Sequence, residues 1–217
     1  QQDYFQATKA SGNGGFEMIV LAPATVQEAV DLTCKAFELA DRDRNPVLIL
    51  ADGVIGTMME PVELPEMMSD EEIAAIRESK KKWACIGHPL DYAHRAWIQP
   101  GQWDTNKMQA VNEEALRLYN SWEKDVMVEE YCTEDAEVVI TAYGISGRIA
   151  KSVVEMMRAE GKKVGLIRPI TVHPFPKASF EKLDYGPCRA ILDVEMSIPA
   201  QLVLDVTLAV KDRCPVH

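Results

Sequence analysis

Two continuously apolar runs, separated by an amphipathic stretch of about four helical turns, constrain this chain more than any other feature. The run from residue 16 to residue 22 alternates loosely and then becomes Ile19-Val20-Leu21-Ala22, with no polar face, as a strand buried on both sides requires. Val47-Leu48-Ile49-Leu50-Ala51 repeats the pattern and ends at Asp52-Gly53. Between the two, Thr25 and Glu28 stand at the spacing of a capping box. Val26, Ala29, Val30, Thr33, Phe37 and Ala40 recur at helical spacing as one apolar face. Residues 41 to 46 read as a polar break. Strand, helix, strand predicts a right-handed crossover between parallel strands. One such unit before residue 60 is too little for a doubly wound domain, so more strands are expected upstream. The opening Gln1-Gln2-Asp3-Tyr4, with neither methionine nor a signal-peptide build, reads as a cut end.

Residues 54 to 68 hold Pro61 and Pro65 and little periodicity, which predicts an extended arm. Ser69 and Glu72 then offer a second capping box, ahead of Ile73 and Ile76. Met108, Val111, Ala115, Leu118, Tyr119 and Trp122 mark an amphipathic helix, so this middle section reads as connector. From Glu137 the α/β pattern returns. A strand is expected at residues 138–143, a helix capped by Ser146 and ended by Gly161, and a strand at 164–167. A rigid loop made of Arg168-Pro169-Ile170 and His173-Pro174-Phe175-Pro176 follows, then a short helix at 177–183 and a strand at 190–194. A last helix opens at Ser197 and Pro199 and runs to about residue 211. A lobe of this size buries too little surface to stand well alone and is expected to lean on a neighbour.

Composition excludes several classes. At 47% hydrophobic over 217 residues the chain has the apolar content for a folded core. Its apolar runs fall far short of the roughly 20 residues that cross a bilayer, so no membrane span is expected. A formal charge of -11 repels a phosphate backbone, and the basic run Lys80-Lys81-Lys82 sits close to Asp70-Glu71-Glu72; a nucleic-acid partner is not expected. The cysteines Cys34, Cys85, Cys132, Cys188 and Cys214 are odd in number and widely spread. That argues against a disulfide framework and for a reducing compartment, by default the cytoplasm. They show no Cys-x-x-Cys, so no iron–sulfur cluster is expected on this chain.

Self-contained chemistry is scarce. Gly144-Ile145-Ser146-Gly147-Arg148 lacks the second glycine of a nucleophile elbow. His88, Asp91 and His94 are of metal-ligating type but form a weak signature without a fourth ligand. His173, in a stiff loop, is explained as well by packing or a hydrogen bond as by catalysis. Gly12-Asn13-Gly14-Gly15 precedes a strand instead of linking strand to helix, and reads as a flexible turn before a phosphate cradle.

Ten short segments nevertheless form a recognisable series. They are Gln2-Asp3-Tyr4-Phe5-Gln6-Ala7, Ile19-Val20-Leu21-Ala22-Pro23, Val26-Gln27-Glu28, Asn45-Pro46-Val47, and Asp52-Gly53 followed by Met59-Glu60-Pro61-Val62. Tyr143-Gly144, Leu166-Ile167-Arg168-Pro169-Ile170-Thr171, His173-Pro174-Phe175-Pro176 and Val194-Glu195-Met196 complete it. In this order and spacing the chain resembles the α subunit of thiamine-diphosphate-dependent 2-oxoacid:ferredoxin oxidoreductases. Met59-Glu60-Pro61-Val62 and the opening are most similar to the 2-ketoisovalerate type, with 2-oxoglutarate and pyruvate types as alternatives.

The resemblance implies an α/β fold, with the C-terminal part of a thiamine pyrimidine-binding domain and a connector in residues 1–134 and a transketolase C-terminal-like domain in residues 135–217. It implies oxidative decarboxylation of a branched-chain 2-oxo acid to acyl-coenzyme A with reduction of ferredoxin. Thiamine diphosphate with Mg2+ would lie at an interface with a β subunit and 4Fe-4S clusters on other subunits, γ and ferredoxin-like chains completing the complex. Complete family members carry, upstream, a Tyr-Pro-Ile-Thr-Pro motif, an activating glutamate and a Gly-Pro-rich loop. None is present here, so the isolated chain is expected to be inactive and to hold no cofactor. Gln2, Asp3 and Asn13 are placed nearest the cofactor cleft, although turn and strand-edge roles explain them equally. Family members show Gly-His-Gly at Gly12-Asn13-Gly14; an asparagine does not change charge near neutral pH, which puts an acid–base role there in doubt. Other readings remain open: another thiamine enzyme such as a transketolase or a pyruvate dehydrogenase component, or a non-catalytic assembly module.

Overall fold

The computed structural model describes residues 2–12, 14–84 and 104–217; Asn13 and the metal-ligand candidates His88, Asp91 and His94 lie outside the described residues. The chain divides into two compact units, residues 1–63 with 118–217, and residues 64–117.

The first unit opens with α1 (Tyr4–Lys9), β1 (Ile19–Leu21), α2 (Val26–Asp43), β2 (Val47–Ile49) and α3 (Gly53–Thr57). β1 and β2 are parallel, with Ile19 opposite Val47 and Leu21 opposite Ile49, as the crossover pattern predicts. β1 is buried on both faces. β2 is only half-buried, which corrects its reading as a second fully buried strand: it is the edge of its sheet.

At the start of α2 the Thr25 hydroxyl accepts from Glu28 N–H at 3.0 Å. The Glu28 carboxylate turns instead to Ala24 N–H at 2.7 Å. The helix carries two apolar stripes, and the one facing the core is Leu32, Ala36 and Leu39; Phe37, assigned to the inner face from spacing, is 70% exposed. Nor does α2 break at residue 41. Trp122 Nε1 donates to Asp43, and Arg42 bridges Asp43 and Asp125, so the polar segment stays helical until Arg44 takes the left-handed conformation at φ 51°.

In the second unit α4 (Asp70–Lys80) has both halves of its capping box: Ser69 accepts from Glu72 N–H at 3.2 Å, and Glu72 accepts from Ser69 N–H at 2.8 Å. Of the lysine run, Lys81 and Lys82 are exposed and Lys81 pairs with Glu78. α5 (Thr105–Ser121) follows.

After a 3-10 turn at Trp122–Asp125 come β3 (Val128–Tyr131), β4 (Val138–Thr141), α6 (Gly144–Ala159), β5 (Val164–Pro169), β6 (Thr171–His173), α7 (Lys177–Glu181), β7 (Ala190–Asp193) and α8 (Leu202–Val210). One sheet has the order β3-β5-β4-β7, with β4 parallel to β5 and β7 and β3 antiparallel to β5; the other is β2-β1-β6.

β6 overturns the rigid-loop expectation for residues 168–176. Thr171 and His173 pair antiparallel with Leu21 and Val20, completing the hydrogen bonds on the second side of β1. The lobe that was expected to lean on a neighbour thus contributes a strand to the sheet of residues 1–63. One core runs through both, from Tyr4, Ala7 and Val20 to Val139, Tyr143, Ile191, Leu202 and Val206.

Two caps differ from expectation. Ser146 does not cap α6: it lies buried in the first turn, Tyr143 occupies the cap position, and Ile145 N–H is taken by Asp52. Ser197 does not open α8, which begins at Leu202 because the carboxylate of Glu195 takes its first N–H groups. The described residues contain no helix long and apolar enough to cross a membrane.

Candidate functional site

The carboxyl ends of parallel strands are where open α/β sheets place ligands, and here three of them converge. Asp52 follows β2 and is 7% exposed. Its Oδ1 accepts from Val54 and Ile55 N–H at 3.0 Å each, and its Oδ2 accepts from Ile145 N–H at 2.9 Å. Both oxygens are spent on helix starts, so Asp52 is a structural staple. Tyr143 follows β4, and Asp193 ends β7.

Tyr143 packs against Tyr4 of α1, ring centroids 5.6 Å apart. Burial, then the nearby Glu195 and Asp193 charges, push its phenol well above the ordinary range. Tyr4 is also buried; its hydroxyl donates to Asp205 at 2.6 Å, and burial followed by the Asp205 charge raises its pKa. Lys9 binds the other Asp205 oxygen at 2.7 Å. Gln201 accepts from Phe5 N–H at 2.9 Å and donates to the Gln2 carbonyl at 2.9 Å. α8 and the residue before it therefore hold α1 by backbone and side chain together.

α1 in turn walls an open cleft of about 530 Å3, with Asp3, Gln6 and Ser11 on its polar side and Ala7, Met18 and Leu48 on its apolar side. Of the residues assigned to the cofactor region, Asp3 lines this cleft. Gln2 is exposed and tied through its carbonyl to Gln201, and Asn13 lies outside the described residues. No lysine or arginine is among the lining residues, and no cluster of three or more His, Cys, Asp or Glu suited to a metal occurs among the described residues. Among the described residues the lining offers the polar groups of Asp3, Gln6 and Ser11 to a ring with hydrogen-bonding edges, and no cationic side chain to a diphosphate.

A second polar group joins the β3-β5-β4-β7 sheet to the first turn of α2. Arg168 of β5 is 6% exposed in its side chain and grips Glu28 with both terminal nitrogens, at 2.7 and 3.0 Å, and Glu129 at 2.6 Å. Lys151 shares Glu129 at 2.5 Å, and that pairing helps hold the Glu129 carboxyl below its usual value against the opposing effect of burial. Gly147 gives the Arg168 stem room: a Cβ there would sit 2.7 Å from Arg168 Cδ. His173 is placed by a hydrogen bond, its Nδ1 2.9 Å from the Met18 carbonyl, which is the packing reading of that residue.

Sequence reasoning did not single out Tyr4, Arg168, Glu195, Gln201 or Asp205 as a connected set. Tyr4, Arg168 and Glu195 stand in the segments that carry the family resemblance, which was their one available signal. Nothing local marks Asp205.

Comparison with known proteins bears on this arrangement directly. Residues 1–131 match the family model for pyruvate flavodoxin/ferredoxin oxidoreductase, thiamine diphosphate-binding. Residues 136–217 match that for pyruvate:ferredoxin oxidoreductase core domain II. The chain is 43% identical over 210 residues to ketoisovalerate oxidoreductase subunit VorB of Methanothermobacter marburgensis, covering 96% of this chain and 57% of that one. It is 28% identical over 223 residues to 2-oxoglutarate synthase subunit KorA of the same organism, covering 91% of this chain and 57% of that one. The fold is shared with 2-oxoglutarate:ferredoxin oxidoreductase from Magnetococcus marinus, solved with 2-oxoglutarate, coenzyme A and succinyl-CoA bound, at a TM-score of 0.74 and 19% identity, covering 100% of this chain and 41% of that one. The chain thus spans a little over half the length of the curated relatives it matches. With a match running from residue 1 to residue 131, more than half its length, this chain belongs to the pyruvate flavodoxin/ferredoxin oxidoreductase family.

Proposed function

We propose that the chain is part of the α subunit of a 2-oxoacid:ferredoxin oxidoreductase acting on a branched-chain 2-oxo acid, converting it to acyl-coenzyme A and carbon dioxide while reducing ferredoxin. The observation that carries this reading is the likeness to the ketoisovalerate oxidoreductase subunit along nearly the whole chain. The mixed polar and apolar lining of the α1 cleft, with Asp3, Gln6 and Ser11 facing Ala7, Met18 and Leu48, supports it as a place for a ring. In this reading residues 1–134 are the remaining part of a thiamine pyrimidine-binding domain with its connector, and residues 135–217 a transketolase C-terminal-like domain. The complex works in the cytoplasm with β, γ and ferredoxin-like subunits.

Thiamine diphosphate, when bound, supplies the electron sink that lets a 2-oxo acid lose carbon dioxide. This chain's contribution is positional. Asp3 and Gln6 line the polar side of the cleft, and Gln2 and Asn13 complete the set of residues proposed to serve the cofactor. Gln201 and Asp205 hold α1 in place. The diphosphate, Mg2+ and the 4Fe-4S clusters are assigned to the partner subunits.

The test is 2-oxo-acid-dependent, coenzyme-A-dependent reduction of a low-potential viologen by the native complex isolated through this subunit. Reduction strongest with 2-ketoisovalerate supports class and substrate together. Preference for 2-oxoglutarate or pyruvate keeps the class and moves the substrate, and no reduction by a complex shown to hold thiamine diphosphate and clusters overturns the proposal. The isolated chain is expected to show no turnover.

A further inference from the structure

On one face of the β3-β5-β4-β7 sheet, α6 packs Ala150 and Val154 against Ile140, Val164 and Leu166, and so covers β4 and β5. β7 receives less cover. Leu192 stands in register with Ile140 on the neighbouring parallel strand and therefore points to the same face, yet it is 37% exposed, as is Val153 on the adjoining side of α6. Parallel sheets bury both faces as a rule. Here a groove of about 550 Å3 lies between α6 and β7, a volume in the range of small-molecule sites. Its floor is apolar, made by Val138, Ile140, Val153, Met157 and Leu192.

The rim is basic. Lys162, Lys163 and Arg189 stand there with a single carboxylate, Glu137, in a chain whose formal charge is -11. Arg189 pairs with Glu137, and Lys162 with Glu160 at 2.7 Å, both of them exposed pairs that water screens. Lys163 is 3.9 Å from Asp135, beyond hydrogen-bond reach, and Asp135 is already held by Arg158 at 2.7 Å. Topology gathers these cations: Lys162 and Lys163 precede β5 and Arg189 precedes β7, so the amino ends of the parallel strands β4, β5 and β7 meet at the rim. Helix α1 packs on Tyr143, which follows the carboxyl end of β4. The groove is therefore separate from the Asp3–Gln6 cleft.

We propose that this groove binds an anionic amphiphile, an aliphatic chain ended by a carboxylate or a phosphate. The chain lies on the floor between Val153 and Leu192, where it takes out of water apolar surface that the fold leaves exposed. The head sits by Lys163 and Arg189. Exchanging screened surface pairs for a ligand anion costs little. A neutral apolar ligand gains only the floor and a small inorganic anion only the rim, so the class is set by having both parts. A free acid and a phosphorylated or coenzyme A-linked chain share this chemistry.

The test is calorimetric titration of the full-length subunit with octyl phosphate, octanoate, octanol and inorganic phosphate. A single saturable site is expected for octyl phosphate or octanoate, with octanol about tenfold weaker and inorganic phosphate undetected. Preference for octyl phosphate points to a phosphorylated or coenzyme A-linked source and preference for octanoate to a free acid; either supports the site. Lys163→Ala combined with Arg189→Ala should weaken binding of the preferred probe about tenfold, and Val153→Phe, which fills the groove from the helix side, should abolish it. The Lys163 and Arg189 side chains are both more than half exposed, so the double variant keeps the test decisive should Val153→Phe fail to fold. Absence of saturable binding, octanol as tight as the charged probes, or an affinity unchanged in the double variant overturns the proposal. So does binding that the subunit shows alone and loses in the native complex, which would make the groove an interface with a partner subunit. None of these readouts depends on turnover of a 2-oxo acid, so their failure leaves the proposed function standing.

Discussion

Asp52 Oδ2 accepts the backbone N–H of Ile145 at 2.9 Å, so the residue that caps α3 also serves the first turn of a helix ninety-three positions later. Its Oδ1 starts α3 through Val54 and Ile55. Asp52→Ala leaves all these N–H groups without their acceptor, at a cost of about 2–3 kcal/mol. Asp52→Asn, which keeps one acceptor oxygen, should cost about 1 kcal/mol. Urea unfolding of the full-length subunit measures both, and equal costs would mean that the second oxygen contributes nothing.

Arg168 makes the complementary link, from β5 to the first turn of α2 and to β3. Arg168→Met strips the cation from Glu28 and the nearer oxygen of Glu129, and should destabilise by about 3–5 kcal/mol. Arg168→Lys keeps the charge but loses the two-pronged grip on Glu28, and should cost roughly half of that. A Lys variant as stable as the wild type would show that charge alone suffices.

Gly147 tests the same contact from the steric side. A Cβ at that position would lie 2.7 Å from Arg168 Cδ and 3.0 Å from the Ala142 carbonyl oxygen, so Gly147→Ala should cost about 1–3 kcal/mol. Since the closer clash is with Arg168, the penalty should fall in an Arg168→Met background, whose side chain is free to turn away. Strict additivity in the double variant would place the strain on the Ala142 backbone instead.

These links also mark what the sequence could and could not disclose. β1, β4 and β5 were legible because each is a run of apolar residues without a polar face, a pattern set by burial alone. β6 was not: Thr171-Val172-His173 lies between Pro169 and Pro174 and is too short for a period, and it becomes a strand because β1 offers it an unfilled side. The inner face of α2 was ambiguous because Phe37 and Leu39 lie on different apolar stripes, and contact with β1 chose between them. The start of α8 was misplaced because its cap comes from Glu195, six residues before Gln201, beyond the spacing of any local capping motif. The α1 clamp was invisible for the same reason on a larger scale: Tyr4 and Asp205 are 201 residues apart. Asp3 was proposed through family resemblance, and its place on the wall of a cleft came only with the fold.

Tyr4→Phe probes that clamp with little change in packing. The variant removes the hydroxyl that donates to Asp205 at 2.6 Å while Lys9 keeps the other oxygen, so the expected cost is about 1–2 kcal/mol. The loss should concentrate in amide protection of residues 4–9 and leave α2 untouched. A uniform loss across the subunit would mean that α1 is not a separately held element.

His173 gives the protein an acid limit. Its ring sits in β6 with Nδ1 2.9 Å from the Met18 carbonyl. Burial lowers its pKa below 6.5, outweighing the Met18 hydrogen bond and the Glu17 charge, which pull the other way. A depressed histidine is neutral in both folded and unfolded chains above about 6.5, so its contribution is fully present there. As pH falls below that value the unfolded chain takes the proton first, and stability declines until the folded-state value is passed. The slope should stay under about 1.4 kcal/mol per pH unit, the limit for one proton. His173→Asn, which keeps an N–H toward Met18, should flatten it. Asp193 acts with the opposite sign, its raised pKa costing stability as pH rises toward about 8. The two windows overlap below about 6.5, where the slopes oppose each other: His173→Asn should make the loss of stability with rising pH steeper there, and Asp193→Asn should remove the loss between about 4 and about 8. Urea unfolding of the full-length subunit across this range measures both slopes, and an Asp193→Asn variant that keeps the wild-type decline between about 6.5 and about 8 would show that Asp193 does not carry it.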